Sequence, residues 1–114
     1  MPSIIPITAA ADPRLNEYAA VSQPELALTR GCFVAEGRLV VERLILERRC
    51  RVRSVVVTNT AHRAMAAALA ALPEDVPVYL ADHALMESMT GFHIHRGCLA
   101  NADRPSPQPS AALE

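Results

Sequence analysis

The chain has 114 residues, 51% of them hydrophobic and 20% charged, with a formal net charge of −1. That length suits one domain with a real core but not two, and no apolar run approaches the roughly 20 residues that cross a bilayer. The near-neutral balance excludes a uniformly basic nucleic-acid footprint, and 3 cysteines without paired spacing exclude a disulfide framework.

The N-terminus does not read as a secretion signal, because Met1-Pro2-Ser3 carries no basic residue and Ile4-Ile5-Pro6-Ile7 is broken by proline. A cytoplasmic protein with no membrane partner is expected. Asp12-Pro13 is an N-cap followed by proline at the first helical position, which starts a short helix through Tyr18 to Ala20. Ser22, Gln23, Pro24 and Glu25 repeat that start signal, and Gly31 supplies a stop. Cys32 to Ala35 reads as a short buried strand. From Gly37 or Arg38 to Cys50 the pattern is helical, with Val40, Val41, Leu44 and Ile45 on one broad face and Leu39, Leu46 and Cys50 on a second stripe. That helix is expected to pack on two sides.

Val52 to Thr58 is the clearest strand, its Val55-Val56-Val57 run typical of a segment covered on both faces. Thr58, Asn59 and Thr60 carry turn and cap chemistry ahead of an alanine-rich helix with Met65, Leu69 and Leu72 at helical spacing, which Pro73 ends. Val76 to Leu80 is a third strand. Asp82 caps a helix that carries Leu85 and the core residues Met86 and Met89, and Gly91 terminates it. Cys98 to Ala100 is the fourth strand. From Asn101 to Glu114 the composition shifts to Pro105, Pro107 and Pro109 among alanines and serines, so a linker or tail over 101–114 is expected to follow a domain over 1–100.

Strands alternating with helices imply crossover connections. The expected architecture is α/β: a three-layer α/β/α sandwich around a small, largely parallel or mixed four-stranded sheet. Ligands of such sheets sit beyond the strand ends, where loops converge. Two segments fall there. Thr90-Gly91-Phe92-His93-Ile94-His95-Arg96-Gly97 runs glycines, histidines and an arginine into an apolar strand, and Phe33-Val34-Ala35-Glu36-Gly37-Arg38 ends a strand where a helix begins. Imidazole and guanidinium are planar groups that stack and hydrogen-bond, and glycine admits close backbone approach.

Plainer readings stand beside these. Phe33 and Phe92 suit a core, Glu36 suits a helix cap or an ion pair, and the glycines suit turns or helix stops. His93, His95 and Cys98 could hold zinc, but there is no second ligand cluster to complete a site. All 11 basic residues are arginine, which fits phosphate forks and equally fits a compositional bias. Eight of them lie between Arg30 and Arg63, whereas Glu74, Asp75, Asp82 and Glu87 follow without a basic partner before Arg96. The cluster Arg48-Arg49-Cys50-Arg51-Val52-Arg53 also sits where cations offset the negative end of a helix dipole.

Phe33-Val34-Ala35-Glu36-Gly37 matches a Phe-x-x-Glu-Gly signature, and His95-Arg96-Gly97-Cys98-Leu99-Ala100 resembles a His-Gln-Gly-Val-x-Ala segment. With the opening Ile4-Ile5-Pro6-Ile7, Asp12-Pro13-Arg14-Leu15 and Tyr18, the chain resembles the N-terminal substrate-binding domain of SpoU/TrmH-type RNA 2′-O-ribose methyltransferases of the SPOUT superfamily. Arg96 stands where glutamine is commoner and Cys98 where valine is commoner. The resemblance implies a fold like that of kink-turn-binding ribosomal proteins, rRNA or tRNA as partner, and a parent enzyme that uses S-adenosylmethionine and dimerises through a knotted catalytic domain. Nothing in this chain resembles that domain's Asn-x-Gly-x-x-x-Arg segment, so no cofactor and no catalytic residue are expected within it.

Under this resemblance the candidate RNA-binding residues are Arg30, Glu36, Gly37, Arg38, Thr90, Gly91, His93, His95, Arg96 and Gly97. The histidines would stack on unpaired bases, Arg38 and Arg96 would meet phosphates or base edges, and Glu36 would accept from a base amino group. Two other classes remain open: a small-molecule-binding α/β domain, for example one holding an anionic metabolite at Arg96 and His93, and a protein-interaction module. No nucleophile with a nearby base and no phosphate-cradling glycine loop supports the first.

Overall fold

The structure, a computed structural model, describes residues 3–9, 11–21, 23–91 and 97–104. Strand β1 (Ile4–Pro6) leads into a 3₁₀ helix over Pro13–Val21 and helix α1 (Pro24–Arg30). Strand β2 (Cys32–Glu36), helix α2 (Arg38–Glu47) and strand β3 (Val52–Val57) follow. Next come the short helices α3 (Asn59–Ala64) and α4 (Ala66–Ala70), strand β4 (Val78–Leu80), helix α5 (His83–Thr90) and strand β5 (Cys98–Asp103).

The sheet is mixed and has 5 strands in the order β1-β4-β3-β5-β2. β1, β4 and β3 are parallel, and β5 runs antiparallel to both β3 and β2. The expected class holds, with one strand more than the four anticipated. The extra strand is the proline-broken run at the N-terminus. A proline lacks the ladder N–H and is tolerated at a sheet edge, which is where β1 lies, and the Ile7 N–H and the Ser3 carbonyl extend its pairing with β4. The last strand also runs beyond Ala100: Asn101 and Ala102 are buried and pair with β2 and β3. Residues 101–103 are therefore sheet rather than tail, and 105–114 lie outside the described residues.

The Val55-Val56-Val57 run is buried on both faces, as its composition predicts. Val55 and Val57 join Val41, Ile45, Met65, Leu69 and Val78 in the core beneath α2, α3 and α4. Val56 joins Leu15, Tyr18, Tyr79, Met86, Met89 and Leu99 beneath the 3₁₀ helix and α5. Two helical layers thus sandwich one sheet. Asp12 and Asp82 cap as expected, accepting from the Arg14 N–H at 2.9 Å and the Leu85 N–H at 2.8 Å. The Tyr18 phenol, fully buried, is pushed above its ordinary pKa by desolvation and hydrogen-bonds Ser54 Oγ at 2.7 Å.

Three local differences have physical causes. α2 packs on one side only: Val41 and Ile45 are buried, whereas Leu39, Val40 and Leu46 are 72%, 54% and 59% exposed. It ends at Glu47 because Arg48 turns left-handed at φ 56°, which takes Cys50 off the helix. The alanine-rich helix breaks at Met65 (φ −107°, ψ 14°), although the Met65 N–H still reaches the Ala61 carbonyl at 2.9 Å. Arg53 occupies a register shift between β3 and β5, a bulge that re-aims its side chain. It donates to Asp103, to Glu17 at 3.0 Å and to the carbonyls of Arg30 and Gly31, tying four segments together.

Candidate functional site

The parallel strands β1, β4 and β3 all end on one side of the sheet, where α2, α3 and α5 begin. A cleft of about 680 Å³ opens there, lined by Arg38, Leu39, Glu42, Thr58, Thr60, Ala61, Ala64 and His83. A second hollow of about 420 Å³ shares Thr58, Thr60 and His83 and extends the site past Asn59 to the ends of β1 and β4. This is the position the α/β topology favours for ligands.

Local chemistry fixes the walls. Thr58 leaves β3 in an extended conformation, and its hydroxyl accepts from the Ala61 N–H at 3.2 Å, starting α3. Its own N–H donates to the Gly97 carbonyl at 3.0 Å, while the Gly37 N–H donates to the Cys98 carbonyl at 3.0 Å. Those two bonds bring the start of α2 and the start of β5 to the same edge of the cleft. Gly97 is required there: at φ +63°, a Cβ would fall 2.8 Å from Thr58 Oγ1 and 3.2 Å from His83 Nε2.

The structure therefore gathers Gly37, Arg38 and Gly97 at one end of the sheet. Glu36 closes β2 at the same end, half-buried and paired in register with Leu99. Gly91 ends α5 at φ 83°, one helix length from the cleft, and Thr90 beside it is buried with its hydroxyl donating to the Met86 carbonyl at 2.9 Å. Arg30 stands apart, at the opposite end of β2, where its guanidinium lies 3.6 Å from Glu17. His93, His95 and Arg96 lie outside the described residues, as does Phe92.

Thr58, Thr60 and His83 line the cleft in addition to the residues expected from the sequence, where Thr58 and Thr60 carry only turn and cap chemistry. The usable signal was positional: each follows the carboxyl end of a parallel strand. Chemically the lining offers a guanidinium, a carboxylate, an imidazole and hydroxyls beside the apolar Leu39, Ala61 and Ala64, a set suited to recognition. Cys98 is turned into the core with its sulfur 3.3 Å from Met65 Sδ, and burial pushes its thiol up to about 12, so it supplies no thiolate nucleophile. Among the described residues no cluster of His, Cys, Asp or Glu could hold a metal ion, and no helix is long and apolar enough to cross a membrane.

No family model matches the chain. It is 34% identical over 110 residues to an uncharacterized tRNA/rRNA methyltransferase of Mycobacterium tuberculosis, covering 89% of this chain and 35% of the relative. A Mycobacterium bovis protein of the same description matches equally. The chain thus spans about a third of the length of the curated relatives it matches. Its fold is shared with an AdoMet-bound rRNA methyltransferase from Sinorhizobium meliloti (TM-score 0.65, 14% identity), covering 91% of this chain and 38% of that one. An RNA 2′-O ribose methyltransferase superposes with a TM-score of 0.66 at 20% identity, over 93% of this chain and 39% of its own. A Porphyromonas gingivalis protein described as of the TrmH family does so with a TM-score of 0.63 at 20% identity, over 83% and 36%. The expected resemblance to RNA methyltransferases is borne out as a similarity over most of this chain.

Proposed function

We propose that this chain, homologous to a region of the tRNA/rRNA methyltransferases, is the RNA-recognising domain of an S-adenosylmethionine-dependent rRNA or tRNA 2′-O-ribose methyltransferase and is not itself catalytic. The parent works in the cytoplasm as a homodimer joined through its catalytic domain. The observation that carries the reading is the cleft at the carboxyl ends of the parallel strands, where Arg38, Thr60 and His83 face a common space beside Gly97.

Recognition of RNA centres on unpaired bases, which stack on imidazole and guanidinium planes and hydrogen-bond along their edges. Arg38 supplies the fork for a phosphate or a guanine edge, His83 a stacking plane, and the threonine hydroxyls partners for 2′-hydroxyls. Glu36 and Gly37 bound this surface, and His93, His95 and Arg96 are proposed as further RNA-contacting residues.

Titrating fluorescently labelled ribosomal or transfer RNA fragments against the chain tests the reading. Salt-sensitive binding that Arg38→Ala or His83→Ala weakens about 5- to 20-fold is expected, which corresponds to the roughly 1–2 kcal/mol of one such contact. Binding indifferent to salt and to both changes would favour a small-molecule or protein-docking role.

A further inference from the structure

The end of the sheet opposite the cleft carries a second group of guanidiniums that this recognition scheme leaves unused. Beyond Glu47 the chain passes through Arg48, Arg49, Cys50 and Arg51 before entering β3 at Val52. These residues wall a hollow of about 290 Å³ whose far side includes Pro73 and Asp75. All three arginines are exposed. Glu47 lies 3.3 Å from Arg43 and 3.9 Å from Arg49, but neither Arg48 nor Arg51 has an ion-pair partner among the described residues.

Arg48 adds a second observation. It is the one described non-glycine residue with positive φ, at 56°. Glycine would serve this helix end without strain, yet the position keeps a long cationic side chain. A cation near a helix C-terminus offsets the dipole, but that needs neither three of them nor one in a strained conformation. A non-glycine residue in this conformation is uncommon and carries strain.

We infer that the Arg48–Arg51 hollow is a second RNA contact, one that holds backbone phosphates while the cleft reads bases. The inference rests on the RNA-binding reading above. β3 runs from the hollow to the cleft, separating them by roughly 20 Å, and α2 covers the same interval, with Arg38 at its start in the cleft and Arg48 just past its end. A folded RNA lying along α2 reaches both. Several forked cations around an open hollow suit a run of phosphates, and phosphate contacts fix register without reading sequence.

The test is a salt series of the same RNA titrations with Arg48→Gly, Arg51→Ala and their combination, beside the cleft variant Arg38→Ala. Arg48→Gly relieves the left-handed strain, so its thermal midpoint is expected to match or exceed that of the unaltered chain. The combined variant should bind about tenfold more weakly at low salt, with the slope of log K against log salt reduced by roughly 1.5, equally for RNAs of different sequence. Unchanged affinity and slope in the hollow variants, with Arg38→Ala weakened, would overturn this inference and leave the recognition reading standing. No RNA binding by the unaltered chain would overturn both.

Discussion

Gly97 carries a constraint that no other residue type could meet. Its φ of +63° disfavours a side chain, and a Cβ would enter the space held by Thr58 Oγ1 at 2.8 Å and Cγ2 at 2.9 Å. Thr58 cannot yield freely, because its hydroxyl is committed to the Ala61 N–H at the start of α3. Gly97→Ala therefore combines left-handed strain with loss or distortion of a cap, about 2–3 kcal/mol together. Thermal unfolding should show a midpoint lowered by roughly 10 °C. The same change would also shift the rim of the cleft, since His83 Nε2 stands 3.2 Å from the added atom.

Among the elements, the bulge in β3 matters most for holding the layers together. Arg53 is drawn out of register there and binds Glu17 of the 3₁₀ helix, Asp103 of β5 and the carbonyls that end α1. Glu17 in turn accepts from the buried Asn101 amide at 2.7 Å. Arg53→Ala would remove the cation shared by Asp103 and Glu17 and its bonds to the Arg30 and Gly31 carbonyls, leaving Glu17 with Asn101 and Arg30 and the Gly31 carbonyl with the Arg104 N–H, at a cost of about 2 kcal/mol after allowance for the site's partial exposure. Arg43→Ala, which removes an exposed pair to Glu47 on α2, should cost no more than ~0.5 kcal/mol. Urea denaturation of the two variants side by side measures the contrast. Much of this element level was legible in the primary structure. Asp12 and Asp82 cap through their carboxylates and Gly31 and Gly91 stop helices through positive φ, as their residue types predict, and the valine run of β3 is covered on both faces. β1 was not legible because three residues ending in proline carry no periodicity, and their pairing with β4 comes from across the fold. The apolar residues of α2 overstated its burial, since periodicity reports which residues share a face and not whether a neighbour arrives to cover it.

At the scale of the molecule, the mixed sheet sets what each end can do. Parallel β1, β4 and β3 place Pro6, Thr58 and Ala81 together at one end, where Arg38, His83 and Gly97 join them. The antiparallel β2 and β5 turn Arg30 and Asp103 to the other. The two motifs at Glu36-Gly37-Arg38 and at Gly97 signalled a common site because each bordered a strand, and the fold brings them to one edge. Arg30 could not be sorted from Arg38 by composition alone: strand direction, a long-range property, separates them. His83 was hidden for a related reason, since it follows a helix cap and only the parallel alignment of β3 with β4 turns that position into a wall of the cleft.

RNA engagement at the carboxyl end of the parallel strands is what the recognition role requires. Amide hydrogen exchange of the chain with and without a bound ribosomal or transfer RNA fragment measures this directly. Slowed exchange in the segments around Gly37 to Leu39, Thr58 to Ala61, Asp82 to Ala84 and Gly97 is predicted. Protection that leaves all four unchanged while RNA is bound would contradict the account.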